Sequence, residues 1–352
     1  MSSGTGIQRL LALGAQDVHI VGNPEISFFN STYKRHSNFS QGTEPLKIVN
    51  PPKSSSNPGF STIKVEKYGD LVGYMYLSPY EPLLGKTVSL GNWTEYVDKV
   101  ELYIGGQLID TQTSLFTETC AIDFMANNIS KSFYGCHQGL SGQSYFFPFR
   151  FFFCENVQSA LPLCAMYYHD VEIRVYWGQR GSLYSWECYA NYYHLEEEER
   201  SSLQNRELDM LIFQVQEAPG SVDSKVQELN FNHPVKCIIN SDTRLKGDIN
   251  VNDNKMKISI NGMDMSDYKY CIPHFVHIPA YYHSNNTQIP DVMMYAFGIS
   301  VTQLQPTGCL NFSRITNAKI HSEKNPITYP TYAISYNILK VQNGMACVVY
   351  AN

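Results

Sequence analysis

Charge is scarce in this sequence. Asp, Glu, Lys and Arg make up 16% of its 352 residues, against roughly 25% in an ordinary soluble protein. No run of Lys and Arg is longer than two, and 26 basic against 32 acidic residues leave a formal net charge of −6. A chain that neutralises many phosphates carries a basic stripe, so direct binding of nucleic acid is not expected. Closely spaced cysteine pairs are also missing. The nine cysteines, at 120, 136, 154, 164, 188, 237, 271, 309 and 347, are odd in number and scattered. That pattern argues against a disulfide framework and fits a reducing compartment. No apolar run approaches the roughly 18 residues of a membrane span. Arg9 followed by LLAL imitates a secretory signal, but the apolar stretch is too short, and no cleaved signal is expected.

The usual catalytic constellations are absent too. There is no G-x-x-x-x-G-K-[ST] phosphate loop, and Gly139-Leu140-Ser141-Gly142 lacks the spacing of a nucleophile elbow. Cys271, His274, His277 and His283 form the one metal-like cluster. In an extended segment His274 and His277 point to opposite faces, which suits zinc only if the segment turns. Asp248, Asn250 and Asn252 begin like a calcium loop. However, Asp253 stands where glycine is needed and Ser259 where glutamate is needed. No metal, cofactor or enzymatic activity is expected. Six N-x-[ST] sequons, at Asn30, Asn38, Asn92, Asn128, Asn285 and Asn311, are read as chance in an Asn-rich chain.

What is present is apolar and aromatic: 43% hydrophobic residues, with 25 tyrosines and 18 phenylalanines. Such a surface either hides in contacts with other chains or reflects the aromatic preference of β-rich folds. The patterning is mostly that of strands. In KVELYIGGQLID, Val100, Leu102 and Ile104 alternate with Lys99, Glu101 and Tyr103, and Gly105-Gly106 offers a hairpin turn. The arrangement returns 156 residues later in KMKISINGMDM, where Met256, Ile258 and Ile260 precede Asn261-Gly262. HDVEIRVYW has a looser counterpart in NAKIHSE, and the chain closes with a long alternating stretch, an Asn343-Gly344 turn and a last strand. One helix is expected at residues 5–13, where Ile7, Leu10 and Leu11 share a side and Asn23-Pro24 stops any continuation. A second helix is expected in the charge-rich HLEEEERSSLQNRELDM of residues 194–210, read as a solvated connector. Short strands with Gly/Asn turns imply a sandwich or barrel, and two similar halves imply a double one.

GAQDVHIVGNPEISFF followed by TYKRHSNFS, at residues 14–40, resembles the start of the major capsid proteins of nucleocytoplasmic large DNA viruses. FPFRFFFCENVQSALPLCAMYYHDVEIRV, LNFNHPVK and QPTGCLNFSRITNAKI, followed by YAISYNILKVQNGMA, resemble further stretches of that family in the same order. The resemblance implies an all-β fold of two consecutive eight-stranded antiparallel jelly rolls. Residues 1–24 would be a short N-terminal arm, 25–195 the first jelly roll, 196–208 a helical connector and 209–352 the second jelly roll. It further implies a homotrimer, a capsomer of roughly hexagonal outline. Its partners would be neighbouring capsomers, minor capsid proteins beneath the shell and an internal viral membrane close by. The location would be the virion, assembled in the host cytoplasm or a virus factory. The arm, with Ile7, Leu10, Leu11, Asn23 and Pro24, would lie at the inner base. The basic knot Tyr33, Lys34, Arg35 and His36 would sit at the start of the first jelly roll and hold the arm through charged hydrogen bonds. Arg314 would do the equivalent in the second half. The chain is short for the family, which leaves open a less abundant capsid paralogue or a scaffold. A carbohydrate-binding β-sandwich used in attachment is the reading from a different class.

Overall fold

The computed structural model describes residues 4–56, 58–83, 85–121, 125, 128–134, 144–241, 254–283 and 292–350. The chain divides into two compact units, up to Asn38 and from Phe39 onward. The first unit holds two short helices, Gly4–Leu11 and Val18–Val21. The Asp17 carboxylate accepts the Gly14 N–H at 2.7 Å between them. Asn23 takes a positive φ of 50° ahead of Pro24 and ends the helical path. Its apolar side chains are exposed, among them Ile7, Leu10, Leu11, Phe28 and Phe29.

The second unit begins with strand β1 (Phe39–Leu46). It continues through β2 (Phe60–Val65), β3 (Leu71–Glu81), β4 (Val97–Ile104), β5 (Gln107–Thr113), β6 (Phe147–Pro148), β7 (Val171–Trp177) and β8 (Ser185–Leu195). One sheet runs β1-β8-β3 with β6 paired to the middle of β3; the facing sheet runs β2-β7-β4-β5. All pairs are antiparallel, with Phe39 opposite Leu195 and Leu46 opposite Cys188 along β1 and β8. That strand order is the jelly roll. The second half repeats it with β9 (Leu208–Ala218), β10 (Val226–Glu228), β11 (Pro234–Asn240), β12 (Lys255–Ile260), β13 (Met263–Asp264), β14 (Met293–Ala296), β15 (Ala318–Ser322) and β16 (Thr331–Gln342). Its sheets run β9-β16-β11-β14 and β10-β15-β12-β13.

The turns explain why the halves register alike. Gly105-Gly106, Asn261-Gly262 and Asn343-Gly344 all place both central residues at positive φ. That geometry matches the twist of a tight hairpin, and Gly and Asn adopt it at least cost. Alternation then sets the faces: β7 buries every second residue from Val171 to Trp177, and β15 does so from Ala318 to Ser322. All three tryptophans fill the first core. Trp177 and Trp186 rings lie 4.9 Å apart, and Trp177 donates its indole N–H to Ser61 at 2.6 Å. Phe147, Phe149, Phe151 and Phe153 form a continuous chain of ring contacts beside them.

Between the halves, helix Glu197–Asn205 has three glutamates in its first turn and no buried residue. Arg200 ties it back to Asp70 at 2.9 Å. Two expectations need correction. Glu101 is buried instead of facing solvent, because Lys99 and Tyr103 close over its carboxylate at 2.8 and 3.0 Å. The stretch Cys271–His283 is helical instead of extended, a π-helical turn over Ile272–His277 running into Ile278–His283. Cys271, Phe275, Val276 and Pro279 face the core from it, which fixes the helix by burial of one side. The calcium-like positions 248–253 and the serine loop 139–142 lie outside the described residues.

Candidate assembly surfaces

The two jelly rolls meet along a seam that sequence reading did not locate. Strand β9 is the edge of its sheet, and an edge strand presents unpaired N–H and C=O groups. The first half supplies a partner for one of them. Asp110 on β5 accepts the Val215 N–H at 2.9 Å, while Gln214 donates its side-chain amide to the Ile109 carbonyl. Gln112 donates to Asp110 at 2.8 Å and to the Arg150 carbonyl at 2.9 Å. Further along, Thr113 and Tyr332 share a hydroxyl contact at 2.7 Å, and the Phe116 and Tyr332 rings lie 5.2 Å apart. Ile212, Phe213, Val215, Tyr332 and Ile334 join the apolar core of the first jelly roll across this seam. Met125 packs here too, beside a void of about 20 Å³ lined by Phe213, Lys236 and Tyr336.

Desolvation governs the charged groups of the seam. Complete burial pushes the Asp110 carboxyl up to about 7, against the opposing pull of the Val215, Gln112 and Thr111 donors. Glu118 is likewise raised to about 7 by burial, opposed by the N–H groups of Trp93 and Thr94. Lys236 is buried with the rings of Phe213 and Tyr336 near its ammonium, at 5.7 and 5.9 Å. Burial lowers its pKa. Arg150, the lone charge in FPFRFFF, forms a buried ion pair with Glu155 at 3.0 Å. A single arginine inside a phenylalanine run was the available signal for such a pair, since a charge among aromatics must be matched when buried.

The positions singled out from sequence fall in both units. Ile7, Leu10 and Leu11 are exposed on the first helix, with Asn23 and Pro24 at the end of the second. Tyr33, Lys34, Arg35 and His36 are exposed and precede the first strand, in the unit that ends at Asn38. Pairing of β1 with β8 begins just after them, at Phe39. Arg314 is exposed on a 3-10 turn, Phe312–Arg314, between β14 and β15. His274 and His277 are exposed on their helix while Cys271 is buried, and no group of three metal-ligating side chains occurs among the described residues.

Comparison with known proteins gives two consecutive family matches. Residues 27–184 match the major capsid protein N-terminus, and residues 199–347 match the large eukaryotic DNA virus major capsid protein. The major capsid protein of Pyramimonas orientalis virus is 27% identical, with 99% of this chain and 100% of that protein covered. That of Paramecium bursaria Chlorella virus 1 is 24% identical, with 99% of each covered. Among solved structures, PBCV-1 VP54 superposes with a TM-score of 0.74 at 21% identity, covering 93% of this chain and 100% of that one. The Faustovirus major capsid protein superposes at 0.65 with 9% identity and 96% of each chain covered. These structural likenesses establish the double jelly-roll fold.

Proposed function

Because the chain belongs to the family of large eukaryotic DNA virus major capsid proteins, we propose that three copies close into a capsomer of roughly hexagonal outline that tiles an icosahedral shell. Its role is structural, in the capsid of a virion, where copies associate with one another. The observation that carries the trimer is the repeated half. Two jelly rolls of identical strand order lie side by side in one chain, so a threefold ring of chains presents six similar blocks. Symmetric closure then buries surface that a lone chain must solvate. That fits a chain with few charges and many exposed tyrosines.

The same reading gives the first unit its work. Its row of exposed apolar side chains, Ile7, Leu10 and Leu11 among them, suits an arm that covers itself on minor capsid proteins at the inner base of the capsomer, beside an internal membrane. Lys34 and Arg35 would steer and hold that contact through charged hydrogen bonds. Assembly would take place in the host cytoplasm or a virus factory. Light scattering behind a sizing column tests the trimer: the expected mass is three times 40.0 kDa. A 40.0 kDa species at all concentrations would reject it in favour of an accessory capsid role.

A further inference from the structure

We propose that the first jelly roll binds one long-chain carboxylate, its hydrocarbon chain against the aromatic wall of β3 and its head group at Lys131. The site is a cavity of about 440 Å³ bounded by β3, residues 146–155 and the short helix Ile129–Tyr134. Every lining residue belongs to one chain, so the site stands whether or not three copies close into a ring.

Strand geometry builds the wall. Successive side chains of a strand point to opposite faces, so Tyr74 and Tyr76 turn outward from β3 while Met75 and Leu77 are buried. Strand β6 pairs alongside, with Tyr76 opposite Pro148. The Tyr76 ring stacks on Tyr189 at 5.5 Å and meets the Phe146 ring at 5.8 Å. Tyr74, Pro148 and Phe149 complete the apolar lining. A cavity of this size falls within the roughly 300–1,000 Å³ that small-molecule sites occupy. A saccharide would bring hydroxyls that each need a partner, and a wall of Tyr, Phe and Pro rings offers few. A hydrocarbon chain needs none.

One end of the cavity is charged. Arg150 pairs through Nη1 with Glu155 Oε1 at 3.0 Å, and Lys131 Nζ reaches Glu155 Oε2 at 3.3 Å. Two cations share one carboxylate, which leaves an excess of one positive charge among the lining residues. Arg150 Nε has no hydrogen-bond partner among the described residues, so Glu155 does not satisfy the guanidinium. Cys154 also lines the cavity, and burial raises its pKa, so the thiol stays neutral and supplies no counter-charge. An unmatched cation in an apolar setting is costly, and a second carboxylate is the group that matches it with charge-assisted hydrogen bonds. Lys131 is the cation within reach: its side chain is 31% exposed, against 4% for Arg150. The head group therefore meets Lys131, while Arg150 holds Glu155 in place behind it. One apolar cavity with one surplus charge suits a single chain with a single negative head. A phospholipid would bring two chains.

The test titrates the full-length protein with dodecanoate, decanoate and dodecanol by calorimetry, each below its aggregation concentration. One saturable dodecanoate site per chain is expected. Decanoate, which buries two methylenes fewer, should bind about tenfold more weakly. Dodecanol, which lacks the charge, should also bind weaker by about tenfold or more. Lys131→Gln should weaken dodecanoate by about tenfold and leave dodecanol unchanged. Tyr74→Ser, at a half-exposed position of the wall, should weaken both ligands together. Equal affinity for dodecanoate and dodecanol, no dependence on chain length, or dodecanoate binding untouched by both substitutions refutes the site. Co-sedimentation with phosphatidylglycerol vesicles separates a free ligand from a lipid surface. Vesicle binding without a saturable dodecanoate site overturns the proposal in favour of a membrane contact.

Discussion

Asp110→Asn is expected to remove a defined part of the pH dependence of stability. In the folded chain burial raises this carboxyl to about 7, whereas an exposed aspartate titrates at 3.8. Between those values the native state holds a proton that the unfolded chain has released. Stability therefore falls as pH rises through that window: the contribution is complete below 3.8 and lost above about 7. A shift of about three units corresponds to about 4 kcal/mol across the window, or ~1.4 kcal/mol per pH unit within it. Protonation also has a structural route. Gln112 Oε1 is buried without a partner, and rotating that amide turns it to accept the new O–H. Asparagine keeps an oxygen for the Val215 N–H but cannot titrate. Urea unfolding at fixed protein concentration, from pH 5 to 8, measures the effect. The wild-type free energy should decline more steeply than that of the variant, by about one proton's worth of slope. Parallel curves for the two proteins would refute the assignment of a neutral, buried Asp110 at the seam.

The other predictions concern single contacts. Arg150→Ala strips the guanidinium from a buried carboxylate and should cost about 3–5 kcal/mol in denaturant unfolding, while Arg150→Met with Glu155→Leu should recover most of it. Gly105→Ala places a Cβ 2.4 Å from the His169 ring at a φ of +57°; a loss of about 2 kcal/mol is expected, read as a lowered melting temperature. Phe116→Ala empties a fully buried position against Tyr332 and should cost about 3–5 kcal/mol. Arg35→Ala should leave the melting temperature unchanged and lower the yield of assembled shells; undiminished assembly would reject the anchoring role of the knot.

Much of the architecture is legible without coordinates because it depends on local rules. The period-two alternation of Val171 to Trp177 and the two Asn-Gly turns are consequences of strand geometry and of which residues tolerate positive φ, and both are readable one segment at a time. The 156-residue echo between Val100–Gly106 and Met256–Gly262 is of that kind, as is the glutamate-rich start of the connector helix. The helix at Cys271–His283 was missed because its two prolines and its π-helical turn hide the spacing of a regular helix, so only the burial of Cys271, Phe275 and Val276 identifies it. Residue order likewise could not say that Glu101 is covered by its own neighbours Lys99 and Tyr103. Nor could it say that Asp110 meets Val215, a partner 105 residues away. The all-β class and the repeated half are legible in residue order because each rests on short-range pattern, while the family is legible through the resemblance of whole stretches such as residues 14–40 and 147–175. Long-range packing alone settles which faces of the two jelly rolls bury one another within the chain. That choice is made by packing between the halves, where a buried edge strand must find every hydrogen-bond partner.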